Sequence, residues 1–192
     1  MRAKLRGRRP KGRLREPYRQ GDLDGLCGIY SAINAVRALS PEIDVDDACW
    51  LFDHLVQHLP KAGGTAGAVA NGIDCGVEGR LLLKAARYMA DEHDIDLTVR
   101  RLPTGVRRAG SIDLLWAALA KALAPTCVAV IGLEGRHSHW TVAAAATPRA
   151  IRLYDSGNIA QLRRRDCTVR KTANRVRLSP AQVFLVRRRD AE

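Results

Sequence analysis

The sequence has 192 residues and a mass of 21.1 kDa, which suits one domain or one domain with a tail. Hydrophobic residues make up 46% of it, which excludes wholesale disorder, and no apolar run approaches the ~20 residues of a membrane-spanning helix. The 32 lysines and arginines outnumber the 20 acidic residues, so the formal net charge is +12. The basic start lacks the apolar segment of a secretory signal, which predicts a cytoplasmic protein without a membrane span.

The positive charge is concentrated at the two ends of the chain. Residues 1–19 carry nine basic side chains and one acidic one, and residues 163–189 carry ten and one. Residues 20–162 hold 13 basic and 16 acidic side chains. We therefore expect a solvated, disordered basic arm over 1–19 and a single domain over 20–192. Nucleic acid or an acidic partner binding to the basic ends is one use of this charge, although base-stacking aromatic residues are only 5% of the chain.

Apolar residues at helical spacing predict four helices, the first of which contains Ile29 to Leu39 and ends at Pro41. The other three cover about Asp46–Leu59, Glu78–Asp91 and Ile112–Leu123, and the second is expected to bury Cys49. Six glycines between Lys61 and Gly79 predict a long loop or broken turns, and the shortage of side-chain bulk suggests a narrow substrate groove at about Gly63–Gly79.

A change of pattern follows in the last third of the chain, where runs rich in β-branched and other apolar residues are bounded by turn residues. The predicted strands, including one before the fourth helix, are Leu97–Leu102, Thr126–Leu133, Trp140–Ala145, Ala150–Tyr154, Arg175–Leu178 and Val183–Val186. Helices first and strands second indicate an α+β domain, with N-terminal helices packed on a C-terminal antiparallel β-sheet.

Five cysteines are present, none in a C-x-x-C pair and none near a histidine in a zinc-like spacing, so we expect reduced thiols and no metal or cofactor. Cys27 differs from the others because it lies between Gly25 and Gly28, where a turn leads into the first predicted helix. The positive end of a helix favours a thiolate, the nucleophilic form of cysteine. Burial in the core is the alternative for this thiol.

A histidine and a carboxylate occupy the ends of two consecutive predicted strands. His139 precedes the strand Trp140–Ala145, and Asp155 follows Ala150–Tyr154. A short turn between these strands would place both residues at the open end of one hairpin. There the imidazole could accept the proton of the thiol, while the carboxylate held its Nδ1–H.

Two alternatives stay open for the base and for the residue that orients it. A fourth residue completes the candidate catalytic group. His137 could be the base if the strand began earlier, and Asn158 could orient the ring if the turn after Asp155 were longer. Gln20, seven residues before Cys27, could donate its side-chain amide to an oxyanion alongside the Cys27 backbone N–H.

Gln20, the run Cys27-Gly28-Ile29-Tyr30-Ser31, His139 and Asp155 together resemble the papain-like cysteine peptidase superfamily. The short hairpin from His139 to Asp155 is most similar to the bacterial peptidase domains that cut double-glycine leaders. The resemblance implies a papain-like fold with Cys27 as nucleophile, His139 as base, Asp155 as orienting residue and Gln20 as oxyanion donor. Ser156 departs from the proline common after the aspartate in the leader peptidases.

The sequence thus predicts a metal-independent thiol hydrolase that cuts peptide or isopeptide bonds in a peptide or protein substrate. Gly25, Gly28 and Trp140 are expected to contact that substrate. An acyltransferase or transglutaminase-like enzyme with the same triad is one alternative. The other is a non-catalytic domain that binds nucleic acid or an acidic partner through its basic ends.

Overall fold

The computed structural model describes residues 16–20, 25–60, 64–108, 110–172 and 174–189. The helices in these ranges are α1 (Cys27–Leu39), α2 (Val45–Gln57), α3 (Gly64–Asn71), α4 (Cys75–His93), α5 (Thr104–Arg108) and α6 (Ile112–Ala122). The strands are β1 (Leu97–Arg101), β2 (Cys127–Gly135), β3 (His139–Ala146), β4 (Ala150–Tyr154), β5 (Gln161–Arg163), β6 (Cys167–Thr168) and β7 (Val176–Arg188). None of the helices described is long and apolar enough to cross a membrane.

The strands form one sheet in the order β1-β7-β2-β3-β4-β5, and β6 also pairs with β7. All pairings are antiparallel except β6 with β7. The fold is therefore α+β, with helices packed on an antiparallel sheet, as the order of sequence patterns predicts.

Both faces of the sheet are covered, which explains why β2 is apolar along most of its length. Val128 and Val130 point into a core shared with α1, α2 and α4. Ala129 and Ile131 point to the other face, into a second core that includes Trp116 of α6. Because successive residues of a strand face opposite sides, a strand between two helical layers needs no polar face.

The glycine-rich segment forms α3 and the start of α4, joined by residues 72–74, so the prediction of a long loop or broken turns from Lys61 to Gly79 is wrong over both helices. Residues 61–63 lie outside the described ranges. The Asp74 side chain starts α4 by accepting the backbone N–H of Gly76 and Val77 at 2.7 and 2.9 Å. A Cβ on Gly79 would lie 2.8 Å from Cε1 of Phe184. Glycine here permits a helix to pack closely on the sheet, and the low bulk does not signal an open groove.

Two further predictions need correction. Cys49 is exposed on α2, whose buried residues are Ala48, Leu51 and Leu55. The two strands predicted over 175–186 are one strand, β7. Ile131 pairs with Val183 and Leu133 with Leu178, so the intervening residues of β7 bulge away from β2. The bulge contains a proline, which cannot donate to the ladder, and this interruption looks like a strand end in the sequence.

Candidate active site

The β3–β4 hairpin positions His139 and Asp155. Its turn is closed by the Thr147 hydroxyl, which accepts the backbone N–H of Ala150 at 3.0 Å. The strands pair in register from Ala146–Ile151 to Val142–Tyr154, with one bulge between. The first residue of β3 and the residue after β4 therefore meet at the open end, as the sequence predicts.

Asp155 binds the imidazole directly. Nε2 of His139 lies 2.7 Å from Oδ1 of Asp155, whose side chain is almost fully buried. The second carboxylate oxygen, Oδ2, accepts the backbone N–H of Gly157 at 2.8 Å and of Ile159 at 2.9 Å. The turn after β4 thus holds the carboxylate from one side while the histidine takes the other. The expectation that Asp155 binds Nδ1–H is wrong, because Nε2 is the ring nitrogen that faces the carboxylate.

The Cys27 thiol is near enough to the same imidazole to influence its charge, and its own hydrogen bond goes to the Gly25 carbonyl at 3.9 Å. Because Nε2 is taken by Asp155, Nδ1 is the ring nitrogen left for the thiol proton. Burial alone would lower the pKa of His139, but the hydrogen bond to Asp155 and the nearby Cys27 outweigh it and raise the pKa to about 9. Burial likewise opposes the charge of Asp155, yet its hydrogen bond to His139 leaves the pKa of the carboxyl lowered. The histidine is therefore a cation at neutral pH, between two groups that favour its charge.

Cys27 is the first residue of α1 and is 7% exposed. The residue before it, Leu26, is the N-cap, and in the described part of the chain no side chain caps this helix end. The first-turn N–H groups, including that of Cys27, therefore have no side-chain acceptor at the N-cap. An oxygen that becomes negative beside Sγ would meet these donors and the positive end of the helix.

Gln20 reaches the same corner because residues 16–20 lie along α1. The buried Asn34 binds the backbone of Tyr18 twice, accepting its N–H at 2.8 Å and donating to its carbonyl at 3.0 Å. Arg37 donates to the carbonyl of Glu16 at 2.8 Å. The Gln20 N–H then donates to the carbonyl of Ser156 at 3.2 Å, one residue after Asp155. Of the arm predicted over 1–19, residues 1–15 lie outside the described ranges.

The three residues expected to contact substrate make contacts inside the protein. A Cβ on Gly25 would lie 2.6 Å from the carbonyl oxygen of Val69, and one on Gly28 would lie 2.2 Å from Oε2 of Glu78. Trp140 is buried, and its indole N–H donates to the Ile73 carbonyl at 2.7 Å. The absence of side chains at the two glycines therefore serves packing around α1, and the indole is occupied within the core.

The two alternatives from the sequence take other positions. His137 lies in the turn between β2 and β3, so the strand does not extend back to it. Asn158 has a positive φ of 67°, and its side-chain oxygen accepts a hydrogen bond from Arg19. The geometry thus brings together Cys27, His139 and Asp155. Asp155, and not Asn158, is hydrogen-bonded to the imidazole.

Glu78 is a buried carboxyl beside Cys27 that sequence reasoning missed. It is 0% exposed, and neither of its oxygens has a hydrogen-bond partner among the described residues. Burial, followed by the charge of Cys27, raises the pKa of Glu78 well above its usual range. A sequence signal did exist, since Glu78 precedes Leu81 and Leu82 by one helical turn and so shares their apolar face.

Within the described ranges, no group of three or more His, Cys, Asp or Glu side chains is placed to hold a metal ion. Comparisons of the chain with protein-family models, with curated proteins and with solved structures find no match. What the site can do is therefore argued from its own geometry.

Proposed function

We propose that this chain is a cysteine peptidase of papain-like type, which hydrolyses peptide or isopeptide bonds with Cys27 as nucleophile. The observation that carries the proposal is the imidazole of His139, hydrogen-bonded to Asp155 on Nε2 at 2.7 Å, with the Cys27 thiol near enough to favour its charge. A thiol, a base and a group that orients the base are the parts that nucleophilic acyl transfer needs.

In the first half of the reaction, the Cys27 proton already resides on His139, and the thiolate Sγ attacks the carbonyl carbon of the scissile bond. The carbonyl oxygen becomes negative and accepts hydrogen bonds from the Cys27 N–H and the Gln20 side chain. The C–N bond then breaks, and His139 gives its proton to the leaving amine. The products of this half are the free amine and a thioester on Cys27.

In the second half, a water molecule gives a proton to His139 as its oxygen attacks the thioester carbon. The C–S bond breaks, and the protein returns to its starting state with the carboxylic acid released. Asp155 keeps its hydrogen bond to Nε2 throughout, which favours the imidazolium each time it forms. A pKa of about 9 supports a cationic His139 at neutral pH, ready to protonate the leaving group.

Alkylation by iodoacetamide, followed by peptide mapping, tests the proposal without knowledge of the substrate. Cys49 is an internal control because it is exposed, whereas Cys27 is 7% exposed. If access alone determined the rate, Cys49 would react first. We expect Cys27 to be alkylated faster than Cys49 at pH 6, where ordinary thiols with a pKa of about 8.5 are almost entirely protonated.

The variant His139→Ala provides the second arm. It should slow alkylation of Cys27 at pH 6 to the rate of Cys49 or below, and should leave Cys49 unchanged. Faster reaction of Cys49 in the wild-type protein, or equal reaction of Cys27 with and without His139, would contradict an activated nucleophile. Hydrolysis of a mixed peptide library, lost in Cys27→Ala, then establishes the peptidase reaction itself.

A further inference from the structure

Five arginines line one concavity at the opposite end of the β3–β4 hairpin from His139 and Asp155. The cavity has a volume of about 710 Å³. Its arginines come from three segments separated in sequence: the β3–β4 turn, the continuous run of β5 and the 3-10 helix over Arg164–Asp166, and the residues before β7. They are Arg149, Arg163, Arg164, Arg165 and Arg175, and we call this cavity the arginine pocket.

The positive charge of the arginine pocket is only partly neutralised by the protein. Arg164 forms an ion pair with Asp113 at 2.5 Å, and Arg165 lies 3.8 Å from Asp166. Arg149 and Arg163 are exposed and have no acidic partner in the described part of the chain. Bringing like charges together costs free energy that an anion in the pocket would recover.

Two of the guanidinium groups, those of Arg164 and Arg175, are also held by backbone carbonyls. Arg175 donates to the backbone carbonyl of Arg165, and Arg164 donates to the carbonyl of Pro148 at 3.4 Å. These contacts join the 3-10 helix to the residues before β7 and to the β3–β4 turn. A cation that is already positioned loses less side-chain entropy when it binds a ligand.

We infer that the arginine pocket binds an oligophosphate group, such as the three linked phosphates of a nucleoside triphosphate or free inorganic tripolyphosphate. Arginine is the side chain best matched to phosphate, because its planar fork donates two parallel hydrogen bonds. A cavity of this volume falls within the range of small-molecule sites, about 300–1,000 Å³. Several linked phosphates place enough negative charge in that space to meet five guanidinium groups.

The lining of the pocket distinguishes this ligand from the main alternatives. No aromatic side chain is among its lining residues, so bases have no stacking surface of the kind that single-stranded nucleic-acid sites use. An acidic peptide spreads its carboxylates along an extended backbone, which favours a long groove over a compact cavity. The phosphates should therefore supply most of the affinity, and the nucleoside little.

Isothermal titration calorimetry on the full chain tests the inference with sodium tripolyphosphate and ATP as probes, in low salt and without magnesium. Both probes should bind with affinities within about threefold of each other, and the affinities should fall as salt is raised. The double variant Arg149→Glu with Arg163→Glu should weaken the binding of tripolyphosphate at least about tenfold, because hydrogen bonds to charged groups are stronger than those between neutral groups.

The matched control is Arg80→Glu with Arg87→Glu, two exposed arginines on α4 that change the net charge by the same amount. At 0.15 M salt, where the Debye length is about 8 Å, it should alter the affinity less than about twofold, because α4 packs on the opposite face of the sheet from the pocket. Arg149→Gln with Arg163→Gln repeats the test should the glutamate variant fail to fold. The measurement uses Cys27→Ala as well, so its result is independent of any peptidase activity.

Three results would overturn the inference. The first is no binding of tripolyphosphate at low salt. The second is an equal loss of affinity in the α4 control, which would indicate long-range charge and no defined pocket. The third is tight binding of a single-stranded oligonucleotide or a poly-glutamate peptide in the absence of tripolyphosphate binding.

Discussion

Charged side chains are buried and paired at one end of the β3–β4 hairpin, whereas at the other end they are exposed and lie beside like charges. At the open end, the side chains of His139 and Asp155 are 14% and 2% exposed, and each charge has a defined partner. At the turn end, Arg149 and Arg163 are exposed, and their neighbours carry the same charge. A buried charge must be paired to be tolerated, whereas an exposed charge costs little. The open end should therefore dominate stability and pH dependence, and the turn end should affect ligand affinity alone.

The largest loss of stability is expected from Asp155→Ala. It removes the acceptor of His139 Nε2 and of two backbone N–H groups, so the free energy of unfolding should fall by about 3–5 kcal/mol. The pKa of His139 should also drop from about 9 toward its ordinary 6.5. Urea unfolding and titration of the imidazole by NMR measure the two changes. An unchanged histidine titration would show that Asp155 does not hold the ring.

The wild-type protein should lose stability between pH 6.5 and pH 10. His139 binds its proton more tightly in the folded state, with a pKa raised from 6.5 to about 9, so its contribution is complete below pH 6.5 and is lost as pH rises through 9. The loss should be about 3 kcal/mol, measured by urea unfolding at each pH. His139→Gln removes the titrating group and should flatten this part of the profile; a profile equally steep in that variant would assign the dependence to other groups.

Glu78→Gln should stabilise the protein, which is unusual for a change in the core. The pKa of Glu78 is raised by burial, so the unfolded chain releases the proton first and the stability cost grows above pH 4.5. The advantage of the variant over wild type should therefore be larger at pH 8 than at pH 5, by urea unfolding.

Glu134→Gln is the matched control for that change. Glu134 is partly buried like its partners and binds Arg177 and Gln182, the latter at 2.6 Å. Losing its charge should cost a little stability at pH 8, opposite in sign to Glu78→Gln. A cost in both variants would mean that the Glu78 carboxylate has a partner that stabilises its charge.

Gly28→Ala should destabilise the protein by about 1–3 kcal/mol, the usual cost of overpacking. The new Cβ would lie 2.2 Å from Oε2 of Glu78 and 3.2 Å from the Ile73 Cβ, and the buried carboxyl has nowhere to move. Gly67→Ala on α3 is the control, since nothing lies within 4 Å of its Cβ. It should raise the melting temperature slightly, as alanine favours helix. Equal effects at both positions would contradict the packing assigned to Gly28.

The smallest change in stability is expected from the double variant Arg149→Glu with Arg163→Glu. Both side chains are exposed, so the free energy of unfolding should stay within about 0.5 kcal/mol of wild type, by urea unfolding in the absence of phosphate. A loss of 2 kcal/mol or more would show that the turn end also contributes to stability, and the contrast between the two ends would fail.

Local patterns accounted for much of the fold. The helical spacing after Cys27, the runs that form β3 and β4, and the short turn at Thr147 depend on residues near one another in the chain, where periodicity and turn chemistry act. The glycine-rich segment was misread for the same reason. Glycine predicts a turn locally, but at Gly79 it permits a helix to approach Phe184, more than a hundred residues later.

What the sequence determined by itself is the α+β layout and the placement of Cys27, His139 and Asp155 at element ends. Only the tertiary structure decided which imidazole nitrogen faces the carboxylate, that Glu78 lies buried against Gly28, and that arginines from three segments share one pocket. Hydrogen bonding within an element is set by neighbouring residues. Burial and the summed field of several charges depend on segments that meet only when the chain is folded.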